Sequence, residues 1–282
     1  MAGFDHMAGS DHRQRRLYCH NRSVPDIDSY AEMLKLERDW LVAMAADIER
    51  RAPRLRSRVE LMEALGRLLR EEEAAGPSEN ERFLAEDASL EQFKVVVAEF
   101  AVDGLVESQS HLAIIPRLPA KARMAVFRVL VDEFGCGNDE QEHAALYRNL
   151  VAELGMPTEL EHYVELASEP SFAYVNLFHW LAARAPATEY FLGAYAYFES
   201  SVLYAYRCYA AATERLGITN RKYYTEHLYI DTFHSRQMKA AIRALEQDRP
   251  VDFGKVWAGV LLTSGVAAEA TDSAITKARS TA

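Results

Sequence analysis

The chain has 282 residues, 49% of them hydrophobic, enough to bury one sizeable core. Its formal net charge is -10, an acidic balance that argues against nucleic acid or an anionic membrane as partner, because both call for basic patches. The cysteines, Cys19, Cys136 and Cys208, are three in number and form no C-x-x-C pair, so reduced thiols and a cytoplasmic location are expected.

Residues 1–24 are polar, repeat Met-Ala-Gly and hold no apolar signal core. They read as a tag-like or disordered tail, which sets His6, His12 and His20 aside, and residues 25–282 read as a single domain. The first helix is expected over 29–51, ended by Pro53, and the second over 55–75, closed by Gly76-Pro77. Arginines between Arg50 and Arg58, followed by Glu60, Glu63 and Glu71 to Glu73, mark a solvated face. Ser89 and Gln92 form a capping box that opens a long apolar helix reaching about residue 115. Pro119 starts the next helix, which stops near Phe134. A Gly135-Cys136-Gly137-Asn138 turn then leads, with Asn138 as cap, into a helix to about 154. A short helix follows from 158, and an aromatic one lies between Pro170 and Pro186. Two long helices over 188–216 and 220–247 and a last one from 252 complete the chain. Strand signals are nearly absent and no apolar run reaches membrane-spanning length. The fold class is therefore all-α, a bundle of about eight to ten helices, in which cofactor sites arise from inward side chains on facing helices.

The sharpest chemical signal is His227-Leu-Tyr-Ile-Asp231-Thr-Phe-His234. Steps of four and seven residues advance a helix by about 400° and 700°, so the two imidazoles and the carboxylate share one face. A buried carboxylate between two histidines is costly unless a metal or a proton network satisfies it, and the pair of residue types suits iron. Glu199 sits among Phe198, Val202 and Leu203, where burial demands a partner. Asp103, Glu107 and His111 follow one another at four-residue steps and are expected on one helix face; the spacing does not choose among them. Glu133 ends one helix and His143 lies in the next, with Glu140 an alternative carboxylate at Glu-x-x-His spacing. The same spacing at Glu159 and His162 opens a short helix after Pro157 and is expected to face solvent. An aromatic set, Phe172, Tyr174, Phe178, Trp180, Tyr190 and Tyr195, reads mainly as core with a pocket wall as the alternative.

Taken together, these motifs resemble the haem-oxygenase-like non-haem diiron oxidases and oxygenases, from about residue 90 to 245. The matching pieces are a core-helix Glu at Glu107, a Glu-x-Gly-x-Gly turn followed by a His at Glu133 to Gly137 and His143, a mid-bundle Glu at Glu199, and a closing His-x3-Asp-x2-His at His227, Asp231 and His234. The resemblance implies seven core helices plus extra ones. It also implies two Fe ions, and O2 as co-substrate. The ligand set it selects is Glu107, Glu133 (or Glu140), His143, Glu199, His227, Asp231 and His234. Three histidines and four carboxylates exceed what tetrahedral zinc takes.

The expected activity is oxidation, desaturation or C–C cleavage of a small amino acid or amine in specialised metabolism. N-oxygenation and oxidative decarboxylation of a fatty acid are the alternatives within the family. A metal-free, thiaminase-like enzyme and a non-catalytic iron-binding bundle are the rivals outside it. A haem oxygenase proper needs a proximal histidine on the first helix, and the stretch from Ser29 to Arg51 has none. A small-molecule substrate is the expected partner, with the chain as monomer or homodimer. Arg207 and Lys222 are candidate anchors for a substrate carboxylate, and Tyr204, Tyr223, Tyr224 and Tyr229 are tyrosines that a nearby diiron site could oxidise.

Overall fold

Short polar side chains mark where helices begin in this chain, by accepting the backbone N–H groups that a first turn leaves unpaired. The computed structural model describes residues 12–281. Asp26 accepts from Ser29 and Ser57 from Glu60, and both Ser78–Glu81 and Ser89–Gln92 close as capping boxes.

The chain runs through α1 (Arg13–Asn21) and α2 (Ile27–Glu37). A π-turn over Arg38–Val42 carries α2 on into α3 (Ala43–Arg51). Next come α4 (Arg58–Ala75), α5 (Glu79–Glu86) and α6 (Leu90–Gly104), then a 3-10 segment over Gln109–Arg117. After these stand α7 (Ala120–Glu133), α8 (His143–Glu153), α9 (Leu160–Leu166) and α10 (Glu169–Ala183). The last four are α11 (Thr188–Ala205), α12 (Arg207–Arg215), α13 (Lys222–Asp248) and α14 (Phe253–Arg279). Among the described residues there is no strand, and the architecture is a haem-oxygenase-like helical bundle. None of these helices is long and apolar enough to cross a membrane.

The bundle is wrapped around α11, which is buried on nearly every face from Thr188 to Val202 and packs chiefly on α14 and α13, while α13 packs on α7. Gly193 of α11 and Gly259 of α14 set that closest approach. A methyl group at Gly193 would overlap the Val256 carbonyl, and one at Gly259 the Tyr190 carbonyl.

Several expectations need correction. The tail reading fails from Arg13 onward, because α1 buries Leu17 and Tyr18. The Tyr18 hydroxyl donates to the Val102 carbonyl at 2.7 Å, its ring meets Phe172, and Asn176 donates to the Gln14 carbonyl at 2.7 Å. One apolar pair on a polar helix is enough once long-range bonds anchor it. His6 lies outside the described residues, and His20 approaches Glu32 at 3.1 Å, away from any cluster.

The long helix expected to reach residue 115 ends at Gly104. Gly104 sits flat against the Tyr147 ring, and Ser108 takes a positive φ of 64°. Asp103, Glu107 and His111 are thus on three different pieces of backbone. The helix expected over 188–216 breaks at Tyr206, and α5 was not anticipated. Asn138 caps no helix, since α8 begins only at His143.

Replacing either glycine at the α11–α14 crossing should cost about 1–3 kcal/mol through overpacking. Thermal melts of Gly193→Ala and Gly259→Ala followed by circular dichroism should therefore fall by several degrees, about 2–4 °C per kcal/mol. Unchanged melting temperatures would contradict the close approach.

Candidate metal centre

Five pieces of backbone deliver seven ligand-type side chains to one point in the core. Glu107 comes from the turn after α6, Glu133 from the last residue of α7, His143 from the first residue of α8 and Glu199 from α11. His227, Asp231 and His234 come from one face of α13. All but Glu107 are almost fully buried, and the Glu107 side chain is only 10% exposed. The α7–α8 reversal that juxtaposes Glu133 and His143 runs through Gly135, Cys136 and Gly137, all at positive φ. At Gly135 a side chain would strike the backbone nitrogen of Glu142.

Six of the seven fall into two groups that share Glu133, and Asp231 stands beside the second. Ligand atoms of Glu107, Glu133, His143 and His227 lie within 4.8 Å of one another, and so do those of Glu133, Glu199 and His234. The shared carboxylate divides its oxygens between them: Oε2 is 2.9 Å from His143 Nδ1, and Oε1 is 3.3 Å from His234 Nδ1. In the first group Glu107 Oε1 is 2.9 Å from His227 Nε2 and 3.8 Å from His143 Nδ1. In the second, Asp231 Oδ1 and Glu199 Oε2 stand 3.3 and 3.1 Å from His234 Nδ1.

This arrangement calls for cations. Three carboxylate oxygens converge on the single atom Nδ1 of His234, which can donate at most one hydrogen bond well. Glu107 Oε2 and both oxygens of Asp231 are buried and accept no hydrogen bond, a costly state for carboxylates. The second nitrogens are already engaged. His227 Nδ1 is 2.6 Å from the Tyr223 carbonyl and His234 Nε2 is 3.3 Å from Asp132 Oδ2. Those contacts fix which ring nitrogen faces inward, as oriented metal-binding histidines require. Four carboxylates and three imidazoles, with no thiolate, match iron rather than a structural zinc site, and the residues present fit two metal ions sharing Glu133.

Electrostatics in the metal-free cluster agree. Burial alone would raise Glu133, but the His143 charge outweighs it and holds the carboxyl at about 2. Glu107 is likewise held below the usual range, with His227 overcoming burial. Burial, then the Asp231 charge, lifts Glu199 to about 7. Burial opposes protonation of His227 and His234, yet Glu107 raises the first to about 9, and Asp231 and Glu199 raise the second to about 11. Protons on the imidazoles thus stand in for metal charge.

Of the sequence expectations, the seven residues chosen with Glu133 come together. Glu140 does not: it is exposed in the turn before α8, because the chain is still reversing there, so its Glu-x-x-His spacing never becomes a helical one. Glu159 and His162 face solvent. Sequence reasoning missed Asp132 behind His234, and Ser108, whose hydroxyl donates to Glu133 Oε2 at 3.1 Å. Asp132 adjoins a ligand in sequence, which was a usable signal; Ser108 carried none. Asp103 and His111 do border the cluster, by a turn rather than a shared helix face. His111 stacks on Phe178, and burial lowers it to about 4, so it is a neutral imidazole. Phe172, Phe178, Trp180 and Tyr190 are core, whereas Tyr195 borders the cluster and Tyr174 lines a cavity beside it. Lys222 reaches Gln141 on the surface and Tyr229 is exposed.

A family model described as iron-containing redox enzyme matches residues 94–267, a span that holds all seven residues. The chain belongs to this iron-containing redox enzyme family. It is also similar to a nitrosourea synthase of Streptomyces achromogenes subsp. streptozoticus, 28% identical over 148 residues. That match covers 52% of this chain and 31% of the relative, so the chain spans only about a third of the relative's length. Membership of the family supports an oxidoreductase, and the buried His/Glu cluster is compatible with iron.

A metal ion entering the cluster must displace the imidazole protons. Uptake of Zn(II) or Fe(II) at pH 7 should therefore release protons and tighten between pH 6 and 9. For the metal-free protein the sign is opposite. The stability contributed by charged His227 is full below its unfolded pKa of about 6.5 and lost as pH rises through about 9. Titration in weak buffer with a pH indicator tests the first point; metal binding without proton release would contradict it.

Proposed function

We propose that the protein holds two iron ions, one by Glu107, His143 and His227 and one by Glu199, Asp231 and His234, with Glu133 shared between them, and uses O2 to oxidise a small amine or amino acid. The observation that carries this reading is the Glu133 carboxylate facing a separate ligand group with each oxygen. Bound iron would supply the electrons and Lewis acidity for O2 activation.

The chain's own part is positioning. The Tyr223 carbonyl takes the Nδ1 proton of His227 and leaves Nε2 free for metal. Asp132 does the same at Nε2 of His234, so Nδ1 points inward. Ser108 steadies one oxygen of Glu133. Tyr195, Tyr174 and Phe198 border the cluster with aromatic surface. Neutral His111 adds an imidazole whose Nε2 has no hydrogen-bond partner, next to the ligands, where it can hold or pass a proton.

Oxidation at carbon of an aliphatic amino acid is the first form of the reaction. Oxidation at nitrogen is the second, and it is favoured by the similarity to a protein named for making a nitrosourea, an N-nitroso compound. A metal-free reaction on this fold is disfavoured by the convergence of all seven ligand-type side chains. The test is O2 uptake by anaerobically Fe(II)-loaded protein against a panel of amino acids, amines and fatty acids, with isotopically labelled O2 to locate the oxidised atom. Uptake should need one class of compound and vanish in His227→Ala and Asp231→Ala. O2 uptake unaffected by both substitutions would sink the assignment.

A further inference from the structure

A cavity of about 720 Å³ runs from the surface at the end of α4 and start of α5 to the ligand cluster. It meets the small space against Glu107, Glu133, Glu199 and His227 at three residues, Asp103, Tyr174 and Phe198, which line both. Its inner wall is aromatic, built from Phe100, Tyr147, Tyr206, Tyr209, Tyr223 and Tyr224.

The charges along it are one-sided. Glu72, Glu73, Glu81, Glu86, Asp103 and Asp272 line the cavity against two cations, Arg82 and Arg207. Both arginines are engaged near the mouth. Arg207 pairs with Glu73 at 2.8 Å, and Arg82 donates to the Pro77 carbonyl. Glu72 is satisfied by the hydroxyls of Tyr197, Tyr204 and Ser264, and Glu81 by its capping box. Among the described residues Glu86 and Asp103 have neither a hydrogen bond nor an ion pair; Glu86 is exposed at the mouth, whereas Asp103 stands at the inner end, where the cavity meets the cluster. Asp103 is the one carboxyl group among the three residues that the cavity shares with the space against the cluster.

We propose that this cavity is the substrate channel and that Asp103 is the receptor for a cationic nitrogen, an amine or guanidinium, on an otherwise aliphatic substrate. The proposal rests on the reading of the cluster as the reaction centre. An unpartnered carboxylate at the inner end of an aromatic-walled, acidic channel is satisfied by a cation that makes a charge-assisted hydrogen bond to it. The rings of Tyr174, Tyr206 and Tyr223 supply the π-faces that hold a desolvated cation. Burial, together with Glu107 and Glu133, pushes the Asp103 carboxyl well above its ordinary range, and a cation in contact offsets that cost. A fatty-acid carboxylate would meet the opposite conditions, an acidic channel and a carboxylate at its inner end. The receptor sets which end of the substrate lies beside the metal ligands, and so places the nitrogen and the carbons next to it there.

The test uses protein loaded with Fe(II) under nitrogen, its iron content measured in each sample, and four probes of equal length: hexylamine, hexylguanidine, hexanol and hexanoate. Calorimetry should show hexylamine or hexylguanidine binding about tenfold or more tighter than hexanol, the size of one charge-assisted hydrogen bond, with hexanoate weakest. Asp103→Asn should remove the preference for the cations and leave hexanol affinity and iron content unchanged, and Asp103→Glu should retain part of it. Equal affinities, or a preference for hexanoate, would overturn the proposal. So would a loss of iron in Asp103→Asn, which would make Asp103 a ligand instead. Cation binding in samples that hold no iron would leave the receptor standing and count against the diiron reading, so the two failures are separable.

Discussion

One buried carboxylate, Glu133, faces a different imidazole with each oxygen, and the surrounding structure is arranged to hold it there. The α7 helix must end at this residue, the chain must reverse within the Gly135–Gly137 turn, and α8 must begin on His143. Ser108, in the turn after α6, must take a positive φ to reach Glu133 from the other side. Such backbone conformations are disfavoured by themselves and persist where their surroundings fix them. The cluster therefore depends on turns as much as on helices.

Packing around α11 supplies the rest of the constraint. The two glycines at its crossing with α14 bring the helices to backbone contact, which fixes where Glu199 stands relative to α13. From α13 come three ligands at once, so the relation between α11 and α13 sets the geometry of the second ligand group. The first group is assembled from a turn and two helix ends, and it opens towards the cavity at Asp103.

The parts of this site legible in the sequence are those carried by regular helices. Helical periodicity placed His227, Asp231 and His234 on one face, and the apolar neighbours of Glu199 pointed to its burial. Glu133 and His143 were joined by resemblance to a family and not by spacing, since the turn between them obeys no period. Glu140 shows the cost of trusting spacing there, because its Glu-x-x-His pattern falls on backbone that has not yet become a helix. Glu107 was placed on the wrong kind of element and still reached the site, since Gly104 against Tyr147 ends the helix just where the side chain must turn inward. Helix α1 was read as tail because six of its nine residues are polar or charged; what orders it is a set of bonds to residues about 80 to 160 positions away.

The central claim is that two metal ions sit on either side of Glu133. The most direct measurement is anomalous diffraction at the iron edge from crystals soaked anaerobically in Fe(II). The account expects two peaks about 3.5–4 Å apart, one against His143 and His227 and the other against Glu199 and His234, with Glu133 between them. A single peak, or iron bound without Glu133 among its ligands, would contradict it.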